Sequence, residues 1–151
     1  MKMTTLCYIE NEKEEYLMLH RTKKEQDPNE GKWIGIGGKF LEKDSPEECV
    51  CREVLEETGL TLTDYEIRGI VTFISDLWET EYMYLFTAKG YEGMIKECDE
   101  GELLWVKKVD VEKLKLWEGD RIFLDQLTNG SKFFLLKLVY EGDRLVDYTL
   151  S

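Results

Sequence analysis

Three carboxylates in the run CREVLEETGL, Glu53, Glu56 and Glu57, have the types and spacing to act together. Positions i, i+3 and i+4 share one face of a helix. With Glu53 as origin, Glu57 falls at about 40° and Glu56 at about 300°. Cys51, Val54, Leu55 and Thr58 fall on the other side, so the pattern predicts a helix that buries one face and presents carboxylates on the opposite one. Like charges at this spacing repel, and they sit away from the helix N-terminus, where the dipole would favour them. Arg52, four residues before Glu56, can neutralise part of the charge. A hard divalent cation would do the rest, since Mg²⁺ is held by a few carboxylates together with substrate phosphates. On the wheel alone, a solvated acidic face remains the other reading.

Composition narrows the partners. The formal net charge is −12, from 32 acidic and 20 basic residues. Such a surface repels nucleic-acid backbones and anionic lipids, so neither direct nucleic-acid binding nor membrane binding is expected. A small polyphosphate is also an anion, and would need divalent cations or local Arg and Lys to bind. Cys7, Cys49, Cys51 and Cys98 form no C-x-x-C pair, and with one histidine, His20, they do not make a zinc site. Reduced structural thiols are expected. No apolar run approaches the roughly 20 residues of a membrane helix, the N-terminus shows no cleavable signal pattern, and cytoplasmic residence is expected.

The acidic run needs elements to position it. Ser45 suits an N-cap, Pro46 the first helical turn, and Glu48 completes an S-x-x-E capping box. Gly59 suits a left-handed C-terminal cap, which sets the helix at 46–58. Before it, Trp33-Ile34-Gly35-Ile36-Gly37-Gly38 alternates glycine so that the backbone can approach something closely. Residues 4–10 and 15–21 read as strands joined by the turn-like 11–14, and 22–32 as a polar loop. Residues 66–75, 80–88 and 102–107 read as strands, and 110–116 and 119–128 as short helices. The end of the chain reads as a hairpin turned at Glu141-Gly142-Asp143. The expected class is α/β with a mixed sheet, in one domain over 1–151.

The segment GGKFLEKDSPEECVCREVLEETGL resembles the box of the Nudix hydrolase family, G-x₅-E-x₇-R-E-U-x-E-E-x-G-U with U bulky and aliphatic. Gly38, Arg52, Glu53, Val54, Glu56, Glu57, Gly59 and Leu60 match eight of its nine specified positions. Asp44 stands where the family has Glu, one methylene shorter. The resemblance implies a Nudix α/β/α sandwich and hydrolysis of a phosphoanhydride with Mg²⁺, for which Mn²⁺ can substitute. It implies Glu53 and Glu57 as metal ligands with the backbone carbonyl of Gly37, Glu56 as a further ligand or a group supporting the ligands, and Arg52 as the residue orienting Glu53. Relatives add a Glu from a later loop, a part assigned here to Glu100, with Glu53 or Glu100 as the acceptor of the attacking water's proton. Arg21, Lys23, Lys24 and Lys39, beside Gly38, are assigned to binding the substrate's phosphates; each is otherwise a plain surface charge.

The stretches EGKWIGIGGK and LWEGDRIF resemble the MutT-type branch, which hydrolyses oxidised purine triphosphates such as 8-oxo-dGTP. That resemblance assigns Trp117 to stacking on the base and Asp120 to its edge N–H groups. The bland reading makes Trp117 a core anchor and Asp120 a helix N-cap. Ile34 stands where the branch has a base-reading Asn, and Gly119 replaces the first member of an acidic pair. The expected activity is conversion of such a triphosphate to the monophosphate and pyrophosphate, in the service of nucleotide-pool sanitation and DNA repair, by a monomer or homodimer. A broad nucleoside triphosphate or nucleoside-diphosphate-X hydrolase, and a non-catalytic nucleotide sensor, are the alternatives.

Overall fold

Strands β1 (Lys2–Ile9) and β2 (Glu15–Arg21) follow one another in the chain yet part into different sheets in the computed structural model, which describes residues 1–23 and 27–151. The turn between them places Glu14 at φ 58° and leaves only an isolated bridge from Glu10 to Tyr16. Both strands are buried on both faces, and side-chain alternation sorts them between two cores. Leu6, Tyr8, Tyr16 and Met18 enter one cluster; Cys7, Ile9, Leu17 and Leu19 enter the other.

The larger sheet has six strands, in the order β4-β1-β6-β5-β8-β9, and the smaller three, β3-β2-β7. Here β3 is Trp33–Ile34, β4 Ile36–Lys39, β5 Thr61–Ser75, β6 Glu81–Glu92, β7 Gly101–Lys107, β8 Phe134–Glu141 and β9 Arg144–Leu150. The β1–β6 and β5–β8 pairs are parallel and the others antiparallel, so the sheet is mixed, as expected. Strands β5 and β6 run longer than the sequence pattern, because bulges around Asp64 and Gly69 let β5 continue past its apolar stretch.

Helix α1 (Pro46–Thr58) has the expected limits for the expected reasons. Glu48 N–H donates to Ser45 Oγ at 3.1 Å, and Ser45 N–H donates to Glu48 Oε1 at 2.9 Å, closing the capping box. Gly59 ends the helix at φ 83°. Helix α2 (Asp120–Asn129) also lies where a helix was expected, whereas residues 108–113 form a 3-10 helix, shorter than the helix expected over 110–116. The cluster under α1 contains Val50, Val54, Leu60 and Phe86. The cluster beneath α2 joins Phe123 and Leu127 to Phe73, Trp117, Leu136, Leu138 and Tyr140. No helix among the described residues is long and apolar enough to cross a membrane.

Candidate active site

The wheel placed the apolar and acidic sides of α1 opposite one another, and this needs correcting. Its buried residues are Cys49, Val50, Val54, Glu57 and Thr58, a face that includes one of the carboxylates, while Leu55 is 47 % exposed. Strand β4 and the turn before β7 cover the acidic side and shut Glu57 in. Close approach makes this possible: a Cβ on Gly38 would overlap the Glu53 carboxyl, and one on Gly37 would overlap the Thr5 carbonyl.

The backbone N–H of Gly37 donates to Glu57 Oε2 at 3.1 Å. Burial, then a hydrogen bond with Glu100, and then the charges of Glu100 and Glu53 push the Glu57 carboxyl up to about 10, against the opposing charge of Arg21. Glu53 is also raised, first by burial and then by Glu56, with Arg52 opposing. Glu56 instead turns outward, its side chain 60 % exposed, with Arg52 Nε 3.8 Å away. Among the described residues no three His, Cys, Asp or Glu side chains are arranged to grip an ion together. Glu53, Glu57 and Glu100 nevertheless converge as oxygen donors whose charges raise one another's carboxyls. That donor chemistry fits Mg²⁺.

Arg52 is fixed from two sides. Its NH1 lies 2.6 Å from Asp44 Oδ2, and its NH2 donates to the Lys39 carbonyl at 3.1 Å and lies 3.4 Å from Glu53 Oε1. The shorter Asp44 therefore faces the box arginine, and it also accepts from Leu41 N–H at 2.7 Å. Arg52, first, and this backbone bond hold its carboxyl below the usual range.

The basic residues divide. Arg21 is buried, its Nε 2.8 Å from Asp27 Oδ2 and its NH1 3.2 Å from Glu100 Oε2, so two carboxylates share its charge where it lines the cleft described next. Lys23 Nζ donates to the Cys98 carbonyl at 3.3 Å and does not line the cleft described next. Lys39 does line it, with Gly37 and Gly38. Lys24 lies outside the described residues.

A cleft of about 630 Å³ runs from these groups to the face formed by Trp117 and Asp120. Arg21, Glu53 and Glu100 line one part of it; Asn29, Phe73, Met83, Trp117 and Asp120 line another. Trp117 is both anchor and wall. Its indole N–H donates to Asn29 Oδ1 at 2.8 Å, Phe73 and Tyr140 meet it edge-on, and Lys32 Nζ sits 4.2 Å from its ring centre. Asp120 is not the N-cap of α2; Gly119 takes that position, and Asp120 opens the first turn. It is 5 % exposed, and burial pushes its carboxyl up to about 8 against the charges of Arg121 and Lys32. Ile34, noted in the sequence as a departure, also lines the cleft.

Sequence reasoning missed Asp27, Asn29 and Lys32, which it read only as part of a polar loop, and also Phe73. An odd buried lysine or aspartate has no periodicity to announce it. Only Phe73, inside an apolar strand pattern, gave any signal.

A family model described as the NUDIX domain matches residues 2–127. The chain is 34 % identical over 110 residues to the uncharacterised Nudix hydrolase YvcI of Bacillus subtilis, covering 70 % of each protein. It is 33 % identical over 126 residues to the oxidized purine nucleoside triphosphate hydrolase of Danio rerio, covering 80 % of this chain and 78 % of that protein. The crystal structure of a MutT protein from Bacillus halodurans superposes with a TM-score of 0.87 at 29 % identity, over 99 % of this chain and 97 % of the other. The fold is shared with that MutT protein, and the chain belongs to the Nudix family. It is a Nudix hydrolase of the MutT type.

Proposed function

We propose that the protein is a Mg²⁺-dependent nucleoside triphosphate pyrophosphohydrolase. Its substrates are oxidised purine triphosphates such as 8-oxo-dGTP, and its products are the monophosphate and pyrophosphate. The observation behind this reading is one continuous cleft that joins Glu53 of α1 and Glu100 to Trp117 and Asp120. The Danio rerio and Mus musculus relatives, both oxidized purine nucleoside triphosphate hydrolases, support it. Work in the cytoplasm on the free nucleotide pool, with no contact to nucleic acid, agrees with the chain's charge of −12.

Glu53, Glu57, Glu100 and the Gly37 carbonyl would hold the ion, with Glu56 swinging in as a further donor. Mn²⁺ meets the same oxygen donors. When bound, the ion neutralises phosphate charge and lowers the pKa of a coordinated water. The chain's own groups do the rest. Arg52 keeps Glu53 aimed into the cleft, and Glu53 or Glu100 takes the water's proton. Arg21 holds Glu100 in place, and Lys39, with the open backbone at Gly38, faces the phosphates. At the far end Trp117 offers a flat apolar face to a purine. Asp120, protonated up to about pH 8, presents one O–H donor and one acceptor oxygen to the base edge. An oxidised purine differs from its parent in the pattern of donors and acceptors on that ring, which a buried carboxyl can read.

Pyrophosphate release across a panel of nucleoside triphosphates with Mg²⁺ tests the reading. Expected is a kcat/KM for 8-oxo-dGTP at least about tenfold above that for dGTP, the worth of one buried polar contact, and loss of that preference in Asp120→Ala. Equal turnover of every triphosphate would make it a broad hydrolase instead. Binding without turnover would make it a sensor.

A further inference from the structure

The terminal hairpin, β8 and β9, lies beyond the residues 2–127 matched by the family model, yet it touches the nucleoside end of the cleft at three points. The first is buried. Tyr140, on β8, accepts a hydrogen bond through its hydroxyl from Gly119 N–H at 2.6 Å. Gly119 caps α2, and the next residue is Asp120. The ring of the same tyrosine packs against Trp117 at 4.9 Å and Phe73 at 5.2 Å. One side chain thus holds both residues assigned to the base.

The second and third points lie at the rim, where the hairpin turns. Asp143 Oδ1 stands 3.3 Å from Lys32 Nζ, the ammonium that sits over the Trp117 ring. Gly142 N–H donates to Asp76 Oδ1 at 2.9 Å, tethering the β5–β6 loop whose Leu77 and Trp78 also line the cleft.

The hairpin also explains the glycine at 119. A Cβ there would lie 2.7 Å from the Tyr140 hydroxyl and 2.6 Å from Leu138 Cδ1. A side chain at 119 would therefore have to displace the ends of Leu138 and Tyr140 on β8.

We infer that the β8–β9 hairpin is a specificity element of this enzyme and that Tyr140 is its positioning residue, fixing Trp117 and Asp120 against the purine without touching the reacting atoms. The inference rests on the proposed reading of the cleft. Losing the hydroxyl frees the Gly119 amide and loosens Asp120, while the ring and the carboxylate end of the cleft stay as they are. Base recognition then weakens and the chemical step does not.

The experiment compares Tyr140→Phe with the wild type on the best purine triphosphate of the panel and on an abasic deoxyribose triphosphate, with Mg²⁺ saturating. Expected is a rise in KM of about threefold to tenfold for the purine substrate, the range one hydrogen bond spans. The kcat should stay within about twofold, and the abasic KM should not change. A merely structural defect would lower kcat on both substrates together. If the wild type itself does not favour the purine over the abasic substrate, the proposed base site fails, and this inference with it. If the wild type does and the variant keeps the full preference, only the role of Tyr140 is overturned. Should Tyr140→Phe not fold, Asp143→Ala reads the outer support, since its side chain is 73 % exposed and holds little of the fold. An unchanged purine KM in that variant overturns the inference, and a rise of about twofold confined to the purine substrate sustains it.

Discussion

At the scale of single residues, the buried carboxyls of Glu57 and Asp120 bear on what the site can do, and each can be tested by an isosteric amide. Burial and Glu100 raise the Glu57 carboxyl well above the ordinary carboxylate range, which favours its neutral form in the metal-free protein. A glutamine there replaces one neutral group with another of the same shape. We expect Glu57→Gln to leave the metal-free melting temperature within about 3 °C while lowering kcat by roughly 10²- to 10⁴-fold, checked by calorimetry and steady-state kinetics. Retained activity would remove Glu57 from the ion-binding set. Asp120 offers a different readout. Its carboxyl is raised from 3.8 to about 8 in the fold, so the folded state binds the proton more tightly than the unfolded chain does. The stability this contributes is complete below about pH 4 and is lost as pH rises through 8. Asp120→Asn carries no such proton. The melting temperature of the wild type minus that of the variant should therefore fall steadily between those pH values, and a flat difference would mean that Asp120 is hydrated.

At the scale of elements, α1 is the part that must hold still. Its start is fixed by two reciprocal bonds, between Ser45 and Glu48, and its end by Gly59. Removing one partner should cost about 1 kcal/mol, or about 2–4 °C in melting temperature for a domain of this size. Ser45 lies at the opposite end of α1 from Glu57, so Ser45→Ala should lose stability and keep kcat. A fall in kcat larger than about threefold would instead mean that the cap sets the register of the carboxylates. The neighbouring elements show where a pattern fails. Wheel geometry assumes that apolar side chains mark the inside, but on α1 the inside is wherever β4 and the turn before β7 press. That contact buried Glu57 and left Leu55 in solvent. Likewise β1 and β2 are legible as strands, but the division into two sheets is not, because a short turn between two strands reads as a hairpin unless other strands compete for their edges.

At the scale of the whole molecule, crowded carboxylates link metal, protons and stability. Burial, then the neighbouring Glu100 and Glu53, raise the Glu57 carboxyl, so without a divalent ion the fold is expected to weaken as pH rises from 4.5 toward about 10. Ion binding requires the deprotonated carboxylate and replaces the proton. The gain in melting temperature on adding saturating Mg²⁺ should consequently be larger at pH 9 than at pH 6, and EDTA should abolish it. A gain independent of pH would place the ion away from Glu57. The local field at the cleft is likewise set by the groups that line it, Lys2, Arg21 and Lys39 beside Glu53 and Glu100, rather than by the total charge of −12.

What the sequence determined alone was local. The limits of α1, most of the strands and the terminal hairpin follow from caps, periodicity and spacing, all of which act within a dozen or so neighbours, while the box residues come from the resemblance to the Nudix family. The tertiary structure decided what depends on atoms far apart in the chain: Glu100 against Glu57, Arg21 drawn to Asp27 and Glu100, Lys23 bonded to the Cys98 carbonyl, Asn29 at the indole N–H of Trp117, and Tyr140 behind Gly119. A charged side chain binds whichever opposite charge or carbonyl the fold brings near. Its partner is set by the packing of sheets, and no pattern of neighbours along the chain encodes it.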